Sequence, residues 1–151
     1  MKKKTVYLIL LVFWMGVIFF MSAQPSVESE ETSSYVAEIV YVLYDLFLSG
    51  TVHLSRTDFI EMYLQPIRKL AHFTEFAILG ILLYINIREY TDKRNFIYAL
   101  SAAVLYAMSD EFHQLFVENR YCSLNDVLID SFGALCGILL CHLIMTKWKK
   151  D

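Results

Sequence analysis

The sequence predicts an all-α polytopic membrane protein, with four transmembrane helices and an amphipathic helix in a long outer loop. Three observations point there. Apolar residues make up 57% of the 151 residues and charged residues 19%, with a mean hydropathy of +0.46, whereas a soluble domain is about 45–50% apolar. The apolar residues gather into runs of about 20, the length a bilayer core demands of a helix. Lys and Arg then collect on one side of the layout that those runs define. The length suits a single domain over residues 1–151, and an aromatic share of 15% suits interfacial belts.

The first span is expected over residues 5–21 (TVYLILLVFWMGVIFFM). A basic start, an apolar run and Ser22-Ala23 also outline a secretory signal. The run is longer than a signal core, however, and Met21 fits poorly three positions before a cut after Ala23, so the segment reads as an uncleaved anchor. The outer loop, residues 23–66, contains seven acids (Glu28, Glu30, Glu31, Glu38, Asp45, Asp58, Glu61) and one base, Arg56. Within it Val36, Ile39, Val40, Leu43, Tyr44 and Phe47 recur at helical spacing. Ser33 or Ser34 is expected to cap that helix and Ser49-Gly50 to end it. Such a helix would lie flat on the membrane or re-enter between the spans. A short turn is expected over 58–64, with Thr57 as cap, and Pro66 as the first residue of the second span.

The second span is placed at 67–87, the third at 95–117 and the fourth at 124–146. Nine cations (Lys2, Lys3, Lys4, Arg88, Lys93, Arg94, Lys147, Lys149, Lys150) then fall on one side. Arg56, Arg68, Lys69 and Arg120 are left for the other side or its boundary. The positive-inside rule makes the nine-cation side, and with it both termini, cytoplasmic. A multi-pass protein of the plasma membrane follows. No basic stripe exists to grip nucleic acid. Cys122, Cys136 and Cys141 form no CxxC or Cys/His spacing for zinc. Four spans without a repeat, with polar residues in one leaflet, argue against a through-path for transport.

That orientation carries the intramembrane charges into the outer leaflet. At 1.5 Å per residue Glu75 lies about 12 Å below the start of its span, Asp110 about 10 Å below the end of its span and Asp130 about 9 Å below its start. An ionisable group at such depth costs roughly 2.5–3.5 kcal/mol on insertion scales. Several at one level should therefore face one another or a wet cavity. Lys69, His72 and Glu75 step by three along one broad face. Asp110 shares a face with His113 and Gln114, and Asp126 with Asp130. Asp110 and Glu111 point about 100° apart, so one serves the site and the other a structural partner, and Asp110, on the face of Gln114, is favoured for the site.

These residues resemble the VanZ family. The likeness lies in RKLAHFTEFAILG (68–80), SDEFHQLF (109–116), Arg120 and SLNDVLIDSFG (123–133), with MSAQP (21–25) after the first span. It covers the whole four-span layout. One departure is Val117-Glu118-Asn119 before Arg120, where a Pro or Gly turn is the family's expectation. The resemblance implies low-level resistance to teicoplanin and related lipid-anchored glycopeptides. It also implies marked positions at Lys69, His72, Glu75, Asp110, Glu111, Gln114, Arg120, Asp126 and Asp130.

Among these, His72, Glu75, Asp110 and Asp130 are candidates for acid/base catalysis. Lys69, Glu111, Gln114, Arg120 and Asp126 are candidates for binding. Arg120 could fork onto a phosphate or clamp Asp126 or Asp130. Asp126 could cap the fourth span, and Lys69 could only snorkel. His53, His113 and His142 read as structural, and Asn86 as the inner end of the second span. A divalent cation such as Mg²⁺ or Mn²⁺ could bridge the acids and a phosphate. The expected partners are membrane lipids or a lipid-linked envelope precursor. The chain would be an enzyme acting on such a head group or, in the alternative, a protein that only binds lipid or shields the envelope.

Overall fold

The computed structural model describes residues 3–48, 54–91 and 94–147. It contains five helices and, among the described residues, no strand: α1 Lys3–Ser22, α2 Ser26–Leu48, α3 Arg56–Arg88, α4 Asn95–Gln114 and α5 Leu124–Lys147. Three of them, α1, α3 and α5, are long and apolar enough to cross a membrane, with mean hydropathies of 2.3, 1.7 and 2.1. Helix α4 is 20 residues long but carries Ser109, Asp110, Glu111, His113 and Gln114 at its end, and these lower its hydropathy.

Side-chain contacts set the helix directions. Trp14 Nε1 donates to the Glu75 carbonyl at 2.9 Å and Asn86 Nδ2 to the Tyr7 carbonyl at 2.9 Å, so α1 and α3 run antiparallel. Tyr106 Oη donates to the Met15 carbonyl at 2.7 Å, and Ser22 meets Asp110, so α4 runs with α1. Helix α5 runs with α3, since Phe73 lies against Gly133 and Ala77 against Gly137. Helix α4 fits among them by a stripe of small residues, Ala99, Ala103 and Ala107, all fully buried. The core is completed by Leu11, Ile18, Phe76, Leu79, Leu83, Tyr84 and Ile138.

The α3/α5 seam is the tightest packing in the molecule. A Cβ at Gly80, Gly133 or Gly137 would collide with the backbone of Ala134, Phe73 or Ala77. Membrane helices, lacking a hydrophobic drive toward one another, associate through such close approach of small residues. The large apolar side chains face outward instead: Phe13, Phe20, Leu105, Phe116 and Leu128 are all more than half exposed, as suits a surface solvated by lipid.

The segment between α1 and α3 differs from expectation. Helix α2 begins at Ser26, not near Ser33 or Ser34, because those two hydroxyls bond back to the Ser29 and Glu30 carbonyls at 2.9 and 2.8 Å inside the helix and so do not cap it. The turn expected at 58–64 is part of α3. Ser55, rather than Thr57, caps α3 by accepting from the Asp58 N–H at 3.2 Å. Pro66 lies inside α3, removing one N–H from the ladder, rather than opening a span. At 33 residues, α3 is about 50 Å long, well beyond the roughly 30 Å of a bilayer core. Its first turns pair with α2 through Ala37, Phe59, Tyr41, Tyr44 and Tyr63, with Phe59 ring centroids 5.3, 5.0 and 4.4 Å from those of the three tyrosines. An exposed Arg56–Glu38 ion pair at 2.6 Å closes that pairing. Helix α4 stops at Gln114, three residues before its expected end. Ser49-Gly50, His53 and the cations Lys2, Lys93, Lys149 and Lys150 lie outside the described residues.

Candidate functional site

Where α1 and α4 end and α5 begins, the chain gathers its intramembrane charges. Ser22 Oγ donates to Asp110 Oδ2 at 3.0 Å. Gln114 Nε2 donates to Ser22 Oγ at 2.9 Å and to Asp110 Oδ2 at 3.3 Å. All three residues are buried. Glu111 points away from them, as the 100° step between neighbours requires, and Glu111 Oε2 accepts the Ser123 N–H at 2.7 Å. It thereby ties the 115–123 turn to α4. Asp110 and Glu111 thus have different partners in the fold.

That turn contains Asn119 at φ 57°. Asn is among the few side chains that enter the left-handed region readily, and it stands in for the expected Gly. The turn presents Arg120, whose Nε and Nη1 are buried without partners. Burial and the nearby Arg68 lower the Arg120 pKa from its ordinary value, while Asp110, Glu111 and Glu75 raise it.

Helix α3 supplies the facing side. Lys69 Nζ lies 3.6 Å from Asp126 Oδ1, in a half-exposed pair. Asp126 also lies in the first turn of α5, where the helix dipole favours an acid, and Ser123 Oγ accepts its N–H at 3.4 Å. His72 Nδ1 is 3.9 Å from Asp130 Oδ1, within ion-pair range but too far for a hydrogen bond. Asp130 is fully buried, and neither of its oxygens has a partner. Unsatisfied buried polar atoms cost about 1–3 kcal/mol each. Such a cost retained at one place marks a site built for something other than stability.

Two cavities open here. A polar one of about 460 Å³ is lined by Arg68, Lys69, His72 and Arg120 together with the acids Glu30 and Asp126. An apolar groove of about 450 Å³ runs between α1, α2 and α3 and includes Trp14, Val36, Ala71 and Glu75. Both share Arg68, His72 and Arg120. Among the described residues no three His, Cys, Asp or Glu side chains form a group that could hold a metal ion.

Three further polar residues named from the sequence have partners in the fold. His113 stacks on Phe19 at 4.4 Å, His142 Nδ1 lies 2.7 Å from Tyr84 Oη, and Asn86 also donates to the Leu82 carbonyl at 2.9 Å. Ser22 and Arg68 were not among the candidates. Ser22 sits in the MSAQP stretch, the signal that could have found it, and Arg68 was counted only as a boundary charge.

No curated protein and no solved structure matches the chain. The VanZ/LLP1 family profile does match it, over residues 7–145, a range that runs through all five helices and every site residue above, and the chain belongs to that family.

Proposed function

We propose that this membrane protein binds the phosphate head group of a membrane lipid or lipid-linked envelope precursor in its polar cavity, and through that binding protects against teicoplanin-type lipoglycopeptides. The single observation that carries the reading is Arg120. The Arg120 side chain lines both cavities, flanked by Arg68 and Lys69, and neither Nε nor Nη1 has a protein partner. A phosphate pairs bidentately with an edge of such a planar fork, through Nη2 and one of those two nitrogens. In this reading α1, α3, α4 and α5 all cross the plasma membrane, because α4 packs between helices that are long enough to do so. Lys3, Lys4, Arg88, Arg94 and Lys147 belong to the cytoplasmic end, leaving the cavities on the outer side, and α2 with the start of α3 rests on the outer surface.

A second reading, catalysis on that head group, is favoured by His72 and Asp130. A buried carboxylate facing the imidazole that lines the cavity is the arrangement of an oriented general base. Glu75 and Asp110 would then complete the acid/base set, while Gln114 and Asp126 position the binding groups.

The test is glycopeptide and lipoglycopeptide susceptibility in a host lacking its own copy, for wild type, Glu75→Gln, Asp110→Asn, Arg120→Ala and Asp130→Asn, with membrane protein level and thermal stability in parallel. The expected result is protection by wild type and its loss, to the empty-vector level, in variants that remain abundant and folded. Variants that lose protection only by vanishing from the membrane would reduce the cluster to a packing network. Turnover of a lipid phosphate by purified protein, absent in His72→Gln, would separate catalysis from binding.

A further inference from the structure

The apolar groove is more than a gap between helices. Gln24, Glu75, Arg68, His72 and Arg120 are among its lining, but four of its other polar side chains are spent on backbone carbonyls. Thr32 Oγ1 donates to the Glu28 carbonyl at 3.0 Å, Ser33 Oγ to the Ser29 carbonyl at 2.9 Å and Thr74 Oγ1 to the Leu70 carbonyl at 2.7 Å. The indole N–H of Trp14 is spent on the Glu75 carbonyl at 2.9 Å. What these residues present to the groove is therefore mostly methyl, methylene and ring surface. A peptide or sugar would leave its own polar groups unpaired there, whereas a hydrocarbon chain would not.

The groove has direction as well as chemistry. It follows α3 from Ile67 to Ile78 and α2 from Ser29 to Val40, about 17 Å along each at 1.5 Å per residue. Toward the end where α4 stops it meets the polar cavity at Arg68, His72 and Arg120. Cationic nitrogens thus stand at the mouth of an apolar channel. Leu70, on its wall, is 62% exposed, so the channel is open at the flank of the bundle.

We propose that this groove holds one hydrocarbon chain of the lipid whose phosphate occupies the polar cavity, so that the ligand enters sideways from the bilayer between α2 and α3. The inference rests on the head-group reading above and adds the tail to it. Helix α2 is then a wall of the binding site. Each buried methylene is worth about 0.8 kcal/mol, or roughly fourfold in affinity, so tail length becomes part of recognition.

Trp14 reports on the groove directly. The chain has two tryptophans, and Trp148→Phe leaves Trp14 alone. This protein, in phosphatidylcholine nanodiscs, is titrated with phosphatidic acid or phosphatidylcholine brominated in one acyl chain, and Trp14 fluorescence is followed. Head-group binding is read separately, as thermal stabilisation in detergent by glycerol 3-phosphate, which has no acyl chain. The expected result is saturable quenching by the brominated phosphatidic acid at a concentration at least tenfold below that of the brominated phosphatidylcholine. Ala71→Phe and Val36→Phe, which fill the groove from α3 and from α2, should each at least halve the quenching and leave the glycerol 3-phosphate response unchanged. If glycerol 3-phosphate binds but the two brominated lipids quench alike, the tail site is overturned and the head-group reading stands. If glycerol 3-phosphate gives no response and the brominated lipids quench alike, the head-group reading falls and takes the inference with it.

Discussion

At the end of the bundle where α1 begins and α3 finishes, polar groups, buried and exposed, are matched. Asn86 donates to two carbonyls, Tyr84 pairs with His142, and Lys4 reaches the Glu89 carbonyl at 2.6 Å while lying 4.9 Å over the Tyr90 ring. At the opposite end the unpartnered buried side-chain atoms collect: among the described residues they belong to His72, Glu111, His113, Arg120 and Asp130. Between the two ends runs the glycine seam of α3 and α5. One end is built as a folding scaffold. The other holds charge in a state that protein groups alone do not satisfy, and in a low-dielectric setting such a state persists only when the surrounding structure supports it. On the proposed function, binding and stability are separated along the helix axes, and substitutions should sort by height in the bundle.

The largest effect on stability is expected at the seam. Gly137→Leu drives a side chain into the Ala77 backbone and should cost about 3 kcal/mol, measured by denaturant unfolding in detergent micelles. Gly16, around which a Cβ meets nothing within 4 Å, is the control, and its Leu variant should stay within about 0.5 kcal/mol of wild type. Equal effects at the two glycines would break the picture of a close-packed seam.

A smaller loss is expected at the matched end. Asn86→Ala removes two hydrogen bonds, to the Tyr7 and Leu82 carbonyls, and should cost about 2 kcal/mol. Protection in cells should then fall only in proportion to the amount of protein in the membrane. A larger drop per folded molecule would mean that the matched end also takes part in function.

At the charged end the order reverses. Asp130→Asn and Arg120→Ala should each change stability by no more than about 1 kcal/mol, because neither residue makes a hydrogen bond through the atoms that are buried. Both should nevertheless weaken phosphatidic acid binding at least tenfold, read by thermal shift against lipid concentration. Strong destabilisation with unchanged binding would show that this end is scaffold after all.

The smallest effect is expected at Arg94, the residue before α4, held at φ 60°. That region costs a non-glycine residue about 1–2 kcal/mol, and the greater chain entropy of glycine offsets part of the gain. Arg94→Gly should therefore raise stability by about 0.5 kcal/mol without touching lipid binding.

Much of this organisation is legible in the chain itself. Three long apolar helices, the single-sided grouping of Lys69, His72, Glu75, Asp110, Arg120, Asp126 and Asp130, and the divergence of Asp110 from Glu111 follow from hydropathy, helical period and a fixed rotation per residue. These are local properties, and a one-dimensional pattern encodes them. The start of α2 at Ser26, the helical setting of Pro66 and the partnership of Ser22 with Asp110 and Gln114 were not legible. A serine can cap a helix or bond back within it, and a proline can open a helix or interrupt one. The choice is made by what packs alongside: here the aromatic pairing of α2 with α3.

The sequence by itself determined an α-helical membrane chain with its charges drawn to one end, because burying apolar runs and hiding backbone polar groups leaves few other forms in lipid. Only the tertiary structure decided that Gly80, Gly133 and Gly137 lock α3 to α5, that Arg68, His72 and Arg120 are shared by two cavities, and that α2 walls one of them. Such facts depend on which helix faces meet, and that is settled by close packing between residues far apart in the chain rather than by any pattern along it.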